Sequence, residues 1–282
     1  QDSAGHTMDT AKIIPDPQGG YLAVYHAYDA ENDYFVVHLA TSSDLLNWTY
    51  QQSYGEATHQ PYLAAVPGGG FLLANETDDG SHNWVQMRYY ASRENLLANQ
   101  PARTFDAPHT LVPEGKWAEG TPNIISVSLD PDIDHSTIEI GFHFYKSGVI
   151  DRQARGVLVN FSQWTSTEQT ALNEALQSLG AKGNIGDRDQ VIFHDRDYII
   201  LEGQLKRGDF GSWRVFLWDV SAQAATQLDI HTHGGSQSFA NPTLSILPAP
   251  EGGQALVVSL YIPSENSASG EAGELIYYRL LP

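Results

Sequence analysis

Acidic and imidazole side chains recur in this sequence at the ends of short apolar runs. A charge at the end of a buried strand is costly unless water or a partner reaches it, so these side chains must share a wet or well-paired pocket. They occupy two positions of a repeating unit, one before the first apolar run and one at the end of the second. The first set is Asp9, Gln60, Thr121, Asp187, Arg188, Asp189 and Asn241, and the second is His26, Glu76, His143, Glu202 and residues 259–261.

Carboxylates, an arginine and histidines around one opening provide the groups of an active site. Glycoside cleavage needs two carboxyl groups that flank the sugar, one protonated as acid and the other ionised as base or nucleophile. Crowding raises the pKa of at least one carboxyl group, which keeps it protonated near neutral pH. We predict catalytic roles for Asp9, Glu202, Glu119 and Asp187. The predicted substrate-binding residues are His26, His59, Gln60, Glu76, His143, Arg188, Asp189 and Asn241.

Five openings of similar composition position these residues. Each has a polar residue, a small residue or proline and an apolar run, and a Gly-rich turn and a second apolar run follow. The openings begin near Met8, His59, Gly120, Gly186 and Ala240. A period of roughly 50–65 residues is typical of a repeat architecture built from one supersecondary unit.

Short strands make up each unit, as in residues 11–15, 21–26, 34–40 and 49–53 of the first. Many have apolar residues at both alternating positions, which indicates that both faces are covered. A β-propeller provides this cover because neighbouring blades pack sheet against sheet. We therefore predict an all-β fold, a five-bladed β-propeller formed by one domain over residues 1–282. A two-sheet sandwich has similar strands and turns, but the like-for-like repeat favours the propeller.

A helical segment is inserted between the third and fourth units. Residues 166–179 carry apolar side chains at the i, i+3 and i+4 spacing of an amphipathic helix. Ser166 or Thr167 can cap its start, and Gly180 follows its end. This helix is predicted to pack on the outside of the propeller.

Composition excludes several kinds of partner. The formal charge of −19 repels phosphate backbones and anionic lipid headgroups, which argues against nucleic acid and membrane surfaces. The chain has no cysteine, and no apolar run approaches the roughly 18 residues of a membrane span.

The start at Gln1 shows no signal-peptide pattern, and sequons at Asn47, Asn75 and Asn160 permit glycosylation. We expect a secreted protein, extracellular or periplasmic, that acts as a monomer on a carbohydrate.

The hairpin segment Ala40-Thr41-Ser42-Ser43-Asp44-Leu45-Leu46-Asn47-Trp48 resembles the Ser-x-Asp-Leu-x-x-Trp hairpin in blade one of the five-bladed propeller glycoside hydrolases. The similarity is chiefly to the family 43 group of arabinanases, β-xylosidases and arabinofuranosidases, and the repeat extends it over nearly the whole chain. It implies hydrolysis of a pentose- or furanose-containing poly- or oligosaccharide, with Asp9 as the general base. The resemblance also matches Glu119 to the general acid of the family. The segment Glu119-Gly120-Thr121-Pro122 is one residue longer than the family's Glu-Gly-Pro motif. Reasoning from the residues adds Glu202 as a candidate acid, and we expect single displacement with inversion.

Eleven histidines raise the question of a bound metal ion. Carboxylates with imidazoles suit zinc or manganese, whereas carboxylates with water suit calcium. The resemblance favours Ca²⁺ in the central channel, with ligands that the sequence does not identify, and the predicted chemistry requires no cofactor.

Arg188-Asp189 is similar to the Arg-Asp pair of sucrose- and fructan-cleaving propellers. The similarity implies a sugar-hydroxyl clamp or a stabiliser of the transition state, with a structural ion pair as the alternative. Four aromatic residues can stack on sugar rings or simply fill the core. These are Tyr62, Trp84, Trp117 and Tyr145.

The sequence is also compatible with two other functions. The second opening, His59-Gln60-Pro61-Tyr62, has no carboxylate where the family places an Asp. Either the blade-four carboxylates Asp187, Asp189 and Glu202 take its place, or the protein is a carbohydrate-binding propeller in which the family chemistry has changed or been lost. A lyase acting on uronic acid polymers is also compatible, because His, Tyr and Arg at the mouth could neutralise a carboxylate and abstract a proton.

Overall fold

Five antiparallel sheets arranged in a ring form the molecule. The structure, a computed structural model, describes residues 1–112, 119–147, 149–186 and 188–282. Each sheet is one blade, and the first strands of the five blades contact one another around a central axis. The predicted five-bladed β-propeller is confirmed. Among the described residues, no helix has the length and apolar character needed to cross a membrane.

The blades follow one another along the chain. Blade one contains β1 (Asp9–Pro15), β2 (Tyr21–Asp29), β3 (Tyr34–Ser42) and β4 (Thr49–Ser53). Blade two contains β5 (Thr58–Ala65), β6 (Phe71–Asp78), β7 (Asn83–Tyr90) and, after helix α1 (Arg93–Leu97), β8 (Arg103–Asp106). Blade three contains β9 (Glu119–Leu129), β10 (Ser136–Lys146), β11 (Ile150–Val159) and β12 (Gln163–Glu168).

Helix α2 (Thr170–Ser178) leads into blade four, which contains β13 (Arg188–Phe193), β14 (Arg196–Gln204), β15 (Trp213–Asp219) and β16 (Ala224–Gln227). Blade five has three strands in the described chain, β17 (Ala240–Pro248), β18 (Gln254–Ile262) and β19 (Gly273–Leu280). Short 3-10 turns cover Ile133–His135 and Phe210–Ser212.

Strand β2 shows why both alternating positions are apolar. Leu22 and Val24 pack toward blade two, in a cluster with Leu63. Ala23 and Tyr25 point the other way, in a cluster that reaches blade five. Because successive side chains of a strand alternate between its faces, a blade between two neighbours needs apolar residues at both positions.

The inserted helix is present, but it starts later than predicted. Residues 163–168 form β12 and pair with β11, so Ser166 and Thr167 are strand residues and do not cap the helix. The residue before α2 is Gln169, which makes no side-chain cap hydrogen bond. The outer strands β8, β12 and β16 were not predicted because they are short and polar, and an edge strand needs no apolar alternation.

A β-bulge recurs where the inner strands begin. The strand register shifts at this point in blades one, two, three and five. At each bulge one non-glycine residue has a positive φ, near 50°. A bulge re-aims the side chains beside it. The positive-φ residues are Thr10, Gln60, Thr121 and Asn241.

The bulges also join neighbouring blades through hydrogen bonds. In three of them, the backbone N–H of the positive-φ residue donates to a side chain on the second strand of the preceding blade, an arrangement that we call the interblade latch. A typical intramolecular hydrogen bond contributes about 0.5–1.5 kcal/mol net. The three latches are Gln60 N to His26 Nδ1 (3.0 Å), Thr121 N to Glu76 Oε2 (2.8 Å) and Asn241 N to Glu202 Oε2 (2.6 Å).

The ring closes between the inner strands of blades five and one. Thr243 Oγ1 donates to the carbonyl of Ala11, and Ser245 Oγ donates to the carbonyl of Ile13, each at 2.6 Å. Strands β17 and β1 thus meet through side chains and backbone without sharing a sheet. The first and last blades are held in the same ring as the others.

Candidate functional site

A pocket of about 280 Å³ lies at the mouth where the inner strands begin. Its walls bring together side chains from positions far apart in the sequence. The predicted site residues that line it are Asp9, His26, His59, Gln60, Glu202 and Asn241. The other described lining residues are Phe35, Phe210, Trp213, Ala240, Tyr261 and Pro263.

Asp9 is held from several sides. Its Oδ1 accepts hydrogen bonds from Asn241 Nδ2 at 3.1 Å and Thr10 Oγ1 at 3.2 Å, and its Oδ2 lies 3.3 Å from His26 Nε2. Burial alone would raise the pKa of Asp9, but hydrogen bonds from His26 and Asn241 outweigh this effect and lower the pKa to about 2. Asp9 is therefore an ionised carboxylate at neutral pH, which suits a base and not an acid.

The lowered pKa of Asp9 makes stability depend on pH in acid. Its folded-state pKa is about 2 against an ordinary 3.8, so its contribution is fully present above the ordinary value and is lost as the pH falls through the folded value. The shift corresponds to about 2 kcal/mol. We expect the free energy of unfolding, measured in urea between about pH 6 and pH 2, to fall more steeply for the wild type than for Asp9→Asn. Parallel curves would contradict this prediction.

Glu274 on β19 is a neighbour of Asp9 that the sequence did not reveal, and it lines the larger pocket beside blade five. It pairs with Tyr261 across β18 and β19 and hydrogen bonds to Asp9. Desolvation of its carboxyl group, in a residue that is exposed as a whole, and the ionised Asp9 raise the pKa of Glu274. Two carboxyl groups that share a hydrogen bond hold one proton between them, so Glu274 carries the proton and donates to Asp9. The predicted strand began at Leu275, one residue too late to include it.

Asn241 connects the two carboxylates of the pocket. Its side chain donates to Asp9 at 3.1 Å, and its backbone N–H donates to Glu202 at 2.6 Å. Since Asn241 spans at most about 5 Å between its two nitrogens, the bonded oxygens of Asp9 and Glu202 lie within about 11 Å of each other. This upper limit admits the roughly 6.5–9.5 Å separation of an inverting carboxyl pair and also the roughly 5–5.5 Å separation of a retaining pair.

Aromatic rings with solvent-accessible faces form the rim of the pocket. Phe35 is 37% exposed and Phe210 is 59% exposed, although both are large apolar residues. Phe35 also packs against His26, with the ring centroids 4.8 Å apart. Exposed aromatic faces beside a polar pocket suit contact with the apolar face of a sugar ring.

The aromatic residues chosen from the sequence lie elsewhere. Tyr62 is buried, and its hydroxyl donates to Asp189 at 2.8 Å. Trp84 donates from Nε1 to Asp106 on β8. Tyr145 is not among the described pocket residues, and Trp117 lies outside the described residues. Exposed aromatics on hairpins, such as Phe35 and Phe210, would have been the better signal.

Glu119 turns away from the mouth. It is 2% exposed, and its Oε1 accepts the backbone N–H groups of Thr110, Leu111 and Val112 at 2.7, 2.5 and 3.2 Å. These contacts hold the loop before blade three. Glu119 is not a described lining residue of the pocket, so the geometry gives no support to the prediction that it is the acid.

Glu76, His59 and His143 form a second polar group beside the pocket. Glu76 Oε1 lies 3.7 Å from His59 Nε2, and the charges of His59 and His143 help to lower the pKa of Glu76 against the effect of its burial. His143 Nε2 lies 3.8 Å from Asp151. Of these residues, only His59 is a described lining residue of the pocket.

Arg188 and Asp189, which were predicted to act as a pair, contact different parts of the molecule. Asp189 is fully buried on the axis, where it accepts from Lys12 Nζ at 2.7 Å and Tyr62 at 2.8 Å. Arg188 turns toward blade three and bonds to Gln153 and Gln169. Neither is among the described lining residues of the pocket, and Asp189 takes part in a structural ion pair. Asp187, a predicted catalytic residue, lies outside the described residues.

The channel beneath the pocket does not fit the expected calcium ion. Calcium needs six to eight oxygen ligands, whereas Lys12 places an ammonium group there, bonded to Asp189 and to the carbonyl of Leu244 at 2.7 Å each. Within residues 1–112, 119–147, 149–186 and 188–282, no group of three or more His, Asp or Glu side chains is arranged to hold a metal ion. We derive no catalytic step through a metal.

A larger pocket of about 740 Å³ lies beside blade five. Its walls are mainly apolar, with Leu260, Ile262 and Leu275 among them. Two carboxyl groups with shifted pKa values also line it: hydrogen bonds from Ser236 and Thr232 lower the pKa of Glu271 to about 2, and the pKa of Glu274 is raised to about 10. Asp9 and Glu202 lie on the smaller axial pocket.

Comparison with known proteins identifies the fold class. No protein-family model and no curated protein sequence matches this chain. An exo-1,5-α-L-arabinanase from a bovine ruminal metagenomic library has a similar structure, with a TM-score of 0.60 and 11% identity over 99% of this chain and 95% of that one.

Two further structures extend the comparison. An α-L-arabinanase from Cellvibrio cellulosa, solved with arabinohexaose, has a TM-score of 0.55 and 12% identity over 96% of this chain and 91% of that one. A structure from glycoside hydrolase family 130, a family of mannoside phosphorylases and hydrolases, has a TM-score of 0.54 and 10% identity over 96% and 84%. The chain thus has the propeller fold of glycoside hydrolases with different substrates.

Proposed function

We propose that this protein is a glycoside hydrolase that acts on a pentose- or furanose-containing poly- or oligosaccharide outside the cell. The observation that carries the proposal is the placement of Asp9 and Glu202 on one pocket, both bonded to Asn241. The fold and the exposed aromatic rim support it. The sugar follows from the resemblance to arabinanases, since the same fold also occurs in enzymes acting on mannosides.

The proposed mechanism is a single displacement with inversion. Asp9, ionised because of its lowered pKa, accepts a proton from water as the water oxygen bonds to the anomeric carbon. Glu202 gives its proton to the departing glycosidic oxygen as the bond to the anomeric carbon breaks. Water thereby supplies the hydroxyl of one product, and the proton of Glu202 completes the other.

A panel of arabino-, xylo- and manno-oligosaccharides tests the proposal. Hydrolysis releases new reducing ends without the ultraviolet absorbance that a lyase product carries. A binding-only propeller is the second candidate, favoured by the hydrogen bonds of Glu119 to backbone N–H groups and by the use of Glu76 and Glu202 as interblade latches. Saturable binding on the same panel without reducing-end release would support that candidate and overturn hydrolysis.

Replacing Glu202 with Gln separates its two roles. Glutamine keeps an oxygen that accepts the N–H of Asn241, so the latch and the fold are retained. The acid is lost, and we expect kcat to fall by about 10²–10⁴-fold, measured as reducing-end release from the substrate identified in the panel.

Glu76→Gln is the matched control for this prediction. It makes the same change at the equivalent latch, to Thr121, outside the described lining of the pocket. We expect a similar melting temperature for both variants and a large loss of turnover only for Glu202→Gln. Equal turnover in the two variants would remove Glu202 from the mechanism.

A further inference from the structure

His26 is a buried imidazole that contacts two blades at once. It lies on β2, directly opposite Asp9 in the register of blade one, and only 3% of it is exposed. One ring nitrogen faces blade two and the other faces Asp9. The Phe35 ring packs nearly perpendicular to the imidazole, at 78°. The imidazole is thus confined on several sides.

The contact with blade two determines which ring nitrogen carries the proton. The backbone N–H of Gln60 points at Nδ1, with 3.0 Å between the nitrogens. A backbone N–H can only donate, so Nδ1 must accept through its lone pair. The proton of the neutral ring is then on Nε2, which lies 3.3 Å from Asp9 Oδ2.

We propose that His26 is a positioning residue for Asp9. Blade two holds the ring in the Nε2–H form through Gln60, and the ring donates to Oδ2 of Asp9. Asn241 donates to Oδ1 from blade five, so the carboxylate plane is fixed between donors from two blades. The bulge at Gln60 thereby sets the orientation of a group on the neighbouring blade. The catalytic consequence rests on the proposed function, whereas the tautomer and the orientation do not.

Nitrogen NMR of the wild-type protein tests the tautomer without any substrate. Long-range proton–nitrogen spectra at neutral pH distinguish rings protonated on Nε2, on Nδ1 or on both, and loss of one ring's signals in a His26 variant assigns them. We expect the Nε2–H form for His26. An Nδ1–H form or a doubly protonated ring at neutral pH would overturn the proposal.

Two substitutions separate the contacts of His26. His26→Asn keeps an acceptor near Nδ1 for Gln60 but loses the donor to Asp9. His26→Gln places an amide N–H near Nε2 and loses the acceptor. Other titratable groups near Asp9 are Glu274, Tyr261, Glu202 and His59, and both variants leave them unchanged.

Carbon NMR of the Asp9 carboxyl group measures how each substitution changes the titration midpoint of Asp9. We expect the titration midpoint to rise by about one pH unit in His26→Asn, where a hydrogen bond to the ionised form is lost, and to stay near the wild-type value in His26→Gln. An unchanged midpoint in a folded His26→Asn variant would overturn the proposal. If wild-type protein hydrolyses no glycoside but these NMR results hold, the proposed function fails and the positioning role stands.

Discussion

Replacing Asp9 with Asn is expected to lower kcat/KM by about 10²–10⁴-fold while the propeller remains folded. The carboxylate is the ionised group of the pocket, and asparagine cannot accept a proton from water. Asparagine retains an oxygen for the hydrogen bonds from Asn241 and Thr10, so these contacts with blade five and the bulge persist. Reducing-end release measures the activity, and circular dichroism measures the fold.

Asp44→Asn is a control in the same blade. Asp44 accepts the backbone N–H groups of Leu46 and Asn47 in the hairpin that ends β3, and it is not a described lining residue of the pocket. We expect this variant to keep its turnover. Undiminished activity in Asp9→Asn would exclude Asp9 as the base and with it the proposed mechanism.

Lys12→Met is expected to lower the free energy of unfolding by about 3–5 kcal/mol. Lys12 is buried, its Nζ bonds to Asp189 and to the carbonyl of Leu244, and it lies 4.5 Å from the centre of the Tyr62 ring. Methionine has a similar length but no charge, so Asp189 would be left ionised and buried without its cation. Urea unfolding at neutral pH measures the loss.

A second substitution tests the cause of this loss. Asp189→Asn in the Lys12→Met background removes the unpaired charge and keeps one of the two accepting oxygens, for Tyr62 or for the N–H of Leu244, so part of the stability should return. A chelator should leave the wild-type unfolding midpoint unchanged, because Lys12 supplies the positive charge in the channel. An equally stable Lys12→Met variant, or a midpoint that falls on chelation, would contradict this account of the channel.

The fold could be predicted because its signal is local and repeated. Leu22, Ala23, Val24 and Tyr25 showed that β2 is covered on both faces, and the structure places neighbouring blades against each face. The polar residues at the ends of the strands predicted the place of the site for the same reason. Repeats of one unit around an axis bring equivalent positions to one mouth, which is why Asp9, Glu202 and Asn241 line the same pocket.

Individual side-chain roles were harder to predict because they depend on neighbours far away in the chain. Glu119 has the residue type of an acid, yet loop backbone around residue 111 takes up its carboxylate. Asp189 has the residue type of a sugar clamp, yet Lys12, 177 positions away, pairs with it. No feature of the local sequence distinguishes these carboxylates from Asp9.

The sequence by itself determined the number of blades, the order of their inner strands and the positions at which polar groups open toward the axis, since strand periodicity and turn residues act over a few neighbours. Only the tertiary structure decided which of those groups reach the pocket, which of them latch one blade to the next, that Phe210 lines the pocket and that Glu274 contacts Asp9. Those outcomes depend on the contacts between blades, and a hydrogen bond such as that from Asn241 to Asp9 forms between residues 232 positions apart.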